Sequence, residues 1–408
     1  MKLTTLAATV ALSSIAYAQT PLVVPSGMIM VYDTNAGPLL LTDLTIEPGG
    51  VLRAKGDRAF RVLASGTVQI DGLLDLSAFG NPGVSSLNTT NLPELGAVGG
   101  PGAGRGGTGS PLTTASSPAG TSGYGPLLFP REGGRGGESG IDPTNVNAGF
   151  RRPGGGGGGS LAADQPVHPD PLHPANIGLI AGPGKNGWPT ALGVGSLTPP
   201  PLGGAVGDRA FVDADPTNDF YGHRLIPSTG VIKVGELQAP VAGAGGGGGG
   251  DAIVGQVWPP PVFSITGDEK GAGGGGGGGL GIIVAGRIAV GAQGKIRCDG
   301  GYGGGGENTN FLDRIGGGSG GGSGGYLILQ ARIVDLSAAA DRALTALGGR
   351  GGRGANDVFG AVDAGGNGGP GVIAIHIPAL TQPALPPGKT LADVSAPAAQ
   401  VLLPDRRL

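Results

Sequence analysis

The chain has 408 residues, of which 91 are glycine and 35 proline, a proportion found in low-complexity chains rather than ordinary globular domains. Yet charged residues make up only 13% and mean hydropathy is +0.11, which excludes the polar, highly charged composition of a disordered chain. A net charge of −3 argues against nucleic acid or an anionic membrane as partner, and the single cysteine, Cys298, excludes an intramolecular disulfide framework.

Lys2, the apolar run Leu3 to Leu12 and the small-x-small site Ala16-Tyr17-Ala18 read as an export signal over residues 1–18. Cleavage there leaves Gln19 first and places the chain at the cell surface or outside the cell. Every later apolar run is interrupted by glycine, proline or polar residues, so no transmembrane segment is expected.

Residues 19–80 read as short strands. Thr42 to Ile46 leads into the turn Glu47-Pro48-Gly49-Gly50 and then Val51 to Ala54. From Val62 to Gly80 one parity is apolar or small (Val62, Ala64, Val68, Ile70, Leu74, Leu76) and the other more polar (Arg61, Gln69, Asp71, Asp75). A period of two marks strands with one buried face. The same pattern returns from Ile282 to Gly300 at a constant offset of 220, placing Cys298 on the apolar parity beside Ile296. Gly66 and Gly286 fall at equivalent places, where a strand bends or meets another backbone.

Residues 81–278 form a long glycine- and proline-rich insertion containing three solid blocks, Gly154 to Gly159, Gly245 to Gly250 and Gly273 to Gly279. These lack the Gly-X-Y period of collagen. At roughly 3.1 Å per residue each spans about 19–22 Å as a polyproline-II-type helix, and without Cβ atoms such helices can pack backbone to backbone. Pro166 to Pro174 and Thr198 to Pro201 read as extended surface loops.

Residues 279–380 supply a second set of strands, including Gly325 to Ile333 and Pro370 to Ile377. Ser337 to Leu347, rich in alanine and leucine, is the one helix candidate, and residues 381–408 read as an extended tail. The fold class expected is all-β: a parallel β-solenoid of stacked strands interrupted by the glycine-rich insertion. The run Leu280-Gly281-Ile282-Ile283-Val284-Ala285-Gly286-Arg287-Ile288-Ala289-Val290, followed by Gly300-Gly301-Tyr302-Gly303, resembles secreted glycine-rich β-solenoid proteins of bacterial cell surfaces. That resemblance covers about 40–80 and 273–380, and implies a fold and a location but no catalytic residue.

Several motifs invite chemistry. Gly321-Gly322-Ser323-Gly324-Gly325 and the overlapping motif at Ser319 match the nucleophile pattern G-x-S-x-G, with Asp335 or Asp363 and then His376 in hydrolase order; the motif requires a strand before the serine, and here a glycine block precedes it. Gly178 to Asn186 misses the phosphate-loop spacing by one residue. His168, Asp170 and His173 could face one metal ion, but the prolines around them favour an extended loop. Asp213, Asp215 and Asp219 offer oxygen ligands to calcium without the glycine of a known calcium loop. Arg105, Arg135 and Arg350 head Arg-Gly-Gly triplets, which in an acidic chain poor in aromatics read as solvated arginines. Asp71 and Asp75, roughly 13 Å apart on a straight strand, are the carboxylates a polysaccharide-acting enzyme would offer.

The function expected is an exported structural or adhesive protein (coat, filament or stalk) with no catalytic residues, whose partners are other surface proteins, glycans or further copies of itself. Two alternatives are a solenoid lyase or glycosidase and an ice- or surface-binding protein.

Overall fold

The computed structural model describes residues 20–83, 92–110, 119–125, 131–139, 153–187, 201–251, 270–307, 316–353 and 364–408. The export signal and Asp363 lie outside them, as does all of Thr198 to Pro201 except Pro201. The regular secondary structure of the described residues is nearly all strand. The first half carries β1 (Thr20–Val24), β2 (Ile29–Asp33), β3 (Leu39–Ile46), β4 (Val51–Lys55), β5 (Phe60–Ala64), β6 (Thr67–Ile70) and β7 (Leu73–Asp75). The hairpin β8 (His223–Ile226) and β9 (Val231–Val234) stands within the long insertion. Then come β10 (Leu280–Val290), β11 (Lys295–Arg297), β12 (Tyr326–Asp335), β13 (Leu344–Thr345), β14 (Val372–His376), β15 (Ser395–Ala396) and β16 (Gln400–Leu402). The short α-helix α1 (Leu391–Val394) opens with a capping box between Thr390 and Asp393.

Two sheets hold the strands outside the hairpin, and every pairing in them is parallel. One runs β1-β3-β5-β10-β12-β14-β16 and the other β2-β4-β7-β11-β13-β15. The chain therefore visits the sheets in alternation and advances along both. β5 and β6 both lie between β3 and β10, so these pairings close a ring of four parallel strands.

This ring corrects the sequence register. Ile288 pairs with Val68 and Val290 with Ile70, which keeps the offset of 220, but Ile283 pairs with Val62 and Ile282 with Arg61. The shift occurs at a bulge, where Gly286 and Arg287 both donate to the Gly66 carbonyl at 2.9 and 3.2 Å. Ile283, Ala285, Ile288, Val290, Ile296 and Cys298 consequently point into the core between the sheets. Ile282 points the other way, into a second core with Leu280, Tyr326, Ile328, Val372 and Ala374.

That second core exists because segments of the insertion, with Leu161, Phe211, Phe220, Tyr221 and Val241, cover the outer face of β10, β12 and β14. Strands buried on both faces read as unbroken apolar runs, whereas the half-exposed β4 and β5 alternate. Ser337 to Leu347 is not a helix. It is a turn followed by β13, with Ala339, Ala343, Leu344 and Ala346 buried in the first core. Pairing of β13 between β11 and β15 overrides the helix propensity of its alanines.

The glycine segments form a third body. Gly243, Gly246 and Gly249 donate to Gly278, Gly275 and Ala272; Gly247 and Gly250 donate to Gly157 and Gly154; Gly245 and Gly248 donate to Tyr124 and Thr121. The bonding face thus recurs every third residue. The carbonyls repeat the pattern, accepting from Gly104, Gly107 and Ser110, from Gly134 and Gly137, and from Gly317, Gly320 and Ser323. One buried segment is bonded to six neighbours, and 154–159, 272–279 and 317–325 are surrounded in the same way. Ala272, Ser319 and Ser323 are the small side chains these three segments bury, and at the glycines the contacts leave no such space: a Cβ on Gly276 would lie 2.4 Å from the Val98 carbonyl oxygen. The segments 272–279, 317–325 and 364–371 run directly into β10, β12 and β14, which fixes the bundle against the start of the first sheet.

Candidate functional site

Among the described residues one group of carboxylates is close enough to share a cation. Asp213, Asp219 and Glu236 bring carboxylate oxygens within 4.8 Å of one another. Asp215 is not part of this group. It forms an ion pair with Lys233 at 2.7 Å and accepts from Thr217, and these bonds hold its carboxyl down at about 2. Glu236 takes the place expected of Asp215. It stands just after β9 and reaches the loop across the hairpin, a juxtaposition no local spacing announces.

The loop is built from side chains turned onto nearby backbone. Asp213 accepts from the Asp215 amide at 2.7 Å and from Asn218 Nδ2 at 3.0 Å. Glu236 Oε1 accepts from the amides of Val212 and Asp213 at 2.7 and 3.2 Å. Glu236 Oε2 and Asn218 Oδ1 are shielded from solvent without a protein partner. Burial, then the charges of Glu236 and Asp213, raise the pKa of Asp219 above the ordinary carboxylate value. Hard oxygen donors of this kind suit calcium better than a softer ion.

The other sequence motifs are placed apart. Ser323 is fully buried, its Oγ accepting from the Ala244 amide at 2.9 Å; Ser319 Oγ accepts from Gly304 and donates to the Gly273 carbonyl at 2.6 Å. Each serine hydroxyl thus serves the backbone of the bundle. Asp335 pairs instead with Arg287 at 2.6 Å and with Ser337, and His376 Nδ1 meets the Leu403 carbonyl at 2.9 Å.

His168 and His173 stack face to face, with centroids 3.8 Å apart, and each Nδ1 accepts a backbone amide. The segment is therefore not extended: buried Asn176 accepts from the amides of Val167 and His168 and donates to the carbonyls of His168 and Asp170, folding it back. Asp71 and Asp75 do not share one straight strand. Asp71 sits at the corner between β6 and β7 and accepts from Gln69, whereas Asp75 in the second sheet pairs with Arg53 at 2.7 Å.

Gly178 to Asn186 lies along the bundle edge, where Gly158 donates to Gly182 and Gly155 to Lys185. Arg105, Arg135 and Arg350 all point outward from it. Cys298 is fully buried, and burial, then Asp299 and Asp75, push its thiol well above the ordinary value. No helix among the described residues is long and apolar enough to cross a membrane. Compared with known proteins, the chain matches no family, no curated protein and no solved structure.

Proposed function

We propose that the chain is a parallel β-solenoid carrying a bundle of polyproline-II-type glycine helices, and that it serves as an exported structural or adhesive element of the cell surface or extracellular matrix. The alternation between two parallel sheets supports the solenoid, with Leu280, Tyr326 and Val372 in one register. The hydrogen-bonding period of three is that of a polyproline-II helix.

The observation that carries the role is the bonding of the inner glycine segments on six sides. Such a body gains rigidity mainly from backbone-to-backbone bonds, with a few side chains such as Ser319 and Ser323 adding to them, which suits a coat, filament or stalk. Open edges support assembly: among the described residues β1 and β2 each pair with one strand only, and Val23, Met28 and Ile29 are exposed at that end. Partners fitting this surface are another copy of the chain, a surface protein or a glycan. Cell fractionation with negative-stain imaging of the purified chain tests the role. Recovery at the surface, starting at Gln19 and forming rigid rods or arrays, is expected; retention inside the cell with Met1 intact would overturn it.

A further inference from the structure

We propose that the cleft of about 840 Å³ between the 171–185 loop and the outer edge of the glycine bundle binds an acidic polysaccharide. The inference concerns the ligand of one face and requires neither export nor assembly of the chain.

Both walls are preformed. Asn176 pins the loop through four backbone hydrogen bonds. Gly348 donates to the Gly178 carbonyl at 3.0 Å and Lys185 to that of Ala364 at 2.8 Å, joining loop and bundle. Gly303 donates to the Arg350 carbonyl at 2.8 Å, which ties together the two segments of the far wall. A ligand entering here meets a surface that has already lost its conformational entropy, which favours affinity.

The charge is one-sided. Lys185, Arg350 and Arg353 line the cleft and are exposed, and among the described residues none of the three forms an ion pair and no carboxylate lines the cleft. In a chain of net charge −3 this is a local reversal of sign. Arg350 and Arg353 are one turn apart on the outward line of the same glycine segment, roughly 9 Å at the polyproline-II rise. Two guanidiniums at a fixed interval match anions repeated along a polymer better than a lone phosphate, and each can grip a carboxylate or sulfate with two donors.

Two further side chains select among polyanions. Tyr302 is 55% exposed, and its ring lies against the bare backbone of Gly80, where a Cβ would come within 2.2 Å of Tyr302 Cε1. Leu172, 82% exposed, lies on the loop side. A single ring and an apolar side chain suit the C–H face of a sugar, whereas single-stranded nucleic acid needs successive stacking rings. An acidic peptide added as a strand needs free main-chain donors, and those of Gly303, Gly351 and Gly352 are already spent on Arg350, Asn367 and Ser319.

The test is calorimetric titration of the purified full-length chain with polygalacturonate and dextran sulfate, against neutral dextran, poly-L-glutamate and oligothymidylate. Arg350→Ala/Arg353→Ala should weaken binding of the acidic polysaccharides by about tenfold or more, and Tyr302→Ala by about threefold, with melting temperature unchanged. Arg105→Ala/Arg135→Ala removes the same charge from the same kind of outward line elsewhere and should change affinity less than about twofold. Equal losses in the two double variants would overturn the site, as would absence of binding to both acidic polysaccharides. Tighter binding of poly-L-glutamate or oligothymidylate than of either would replace the ligand class with peptide or nucleic acid.

Discussion

The strand stack and the glycine bundle solve one problem, a buried interior, with opposite means. In the stack, Val62, Val68, Ile70, Leu74, Ile288 and Ile296 fill the space between two sheets, and the pattern in sequence is a period of two. In the bundle there are almost no side chains to bury; backbone donors and acceptors of each segment meet those of its neighbours, and the pattern is a period of three. Composition thereby encodes depth. A segment bonded all round, such as 245–250, is solid glycine, because each of its three faces meets another backbone. A segment at the surface reads Gly-Gly-X, and X is outward: in Glu132-Gly133-Gly134-Arg135-Gly136-Gly137-Glu138 the charged residues are exposed and Gly133, Gly134 and Gly137 are buried.

The bundle should be most sensitive to added carbon. Gly276→Val places a branched side chain where a Cβ alone would lie 2.4 Å from the Val98 carbonyl oxygen and 2.6 Å from its carbon. The neighbours are themselves bonded backbone and cannot rotate away, so the expected cost is at the upper end for overpacking or beyond, about 3 kcal/mol or more by denaturant unfolding. Hydrogen exchange across 273–279 should accelerate in the variant and be strongly protected in the parent. A neutral or stabilising result is what a loose linker would give, since valine restricts the unfolded chain more than glycine. Ile288→Val removes one methylene from the stack and should cost only about 1 kcal/mol, which sets the scale of tolerance there.

The stack has its own intolerance, which is to charge rather than volume. Ile288 is fully buried and paired with Val68 on one side and Val334 on the other. Ile288→Asp leaves a carboxylate with no partner between the sheets and should cost roughly 3–5 kcal/mol. Cys298 reports on the same interior. Its thiol should label slowly with a water-soluble reagent in native buffer and quickly in denaturant, and equal rates would contradict the packing described above.

The two regions were not equally legible. The all-β character could be read from the alternation between Val62 and Leu76, because one face of those strands is exposed and polar side chains mark it. Along Leu280 to Ala285 the same reading placed Ile282 in the first core, since a strand covered on both faces carries no polar marker of its orientation. Gly66 was visible as a special position, but an extra residue in the pairing is a property of three strands together and not of one. The acidic cluster shows the same limit. Asp213 and Asp219 stand close in sequence, whereas Glu236 arrives only after β8 and β9 have folded, and Asp215 leaves the group because Lys233 on β9 captures it.

A smaller effect tests whether the end of the stack is dry. His376 on β14 is fully buried, its Nδ1 facing the Leu403 carbonyl and its Nε2 without a partner, with Asp405 and His223 the other ionisable groups acting on it. Burial holds its pKa at about 4, below the ordinary 6.5. Because the folded value is the lower one, the unfolded chain binds the extra proton between these values. Stability is complete above pH 6.5 and falls as the pH drops toward 4, by about 3 kcal/mol in all. Asp405, held down at about 2 first by its bond with Arg407, has the same sign but acts below pH 3.8. His376→Gln should therefore flatten the upper window and leave the lower one, and an unchanged slope between pH 6.5 and 4 would mean the imidazole is hydrated.

The smallest expected effects lie where the two regions become alike, on their outward lines. Lys295 is exposed on β11, beside buried Ile296, and makes no ion pair among the described residues. Arg105 is exposed on the bundle, between buried Gly104 and Gly106. Lys295→Asp and Arg105→Ala should each change unfolding free energy by less than about 1 kcal/mol, the range of exposed side chains without a fixed partner. Both positions sit one residue from sites where a substitution is expected to be severe, so the contrast measures orientation and not location. At the outward position of a Gly-Gly-X segment the side chain has solvent above it whatever its size, and Arg105→Val should be tolerated as well as Arg105→Ala. Loss of the fold in Arg105→Val, where Gly106 and Gly107 are intact, would show that the bundle rejects branched residues at every position, and the link between the third residue and the surface would fail.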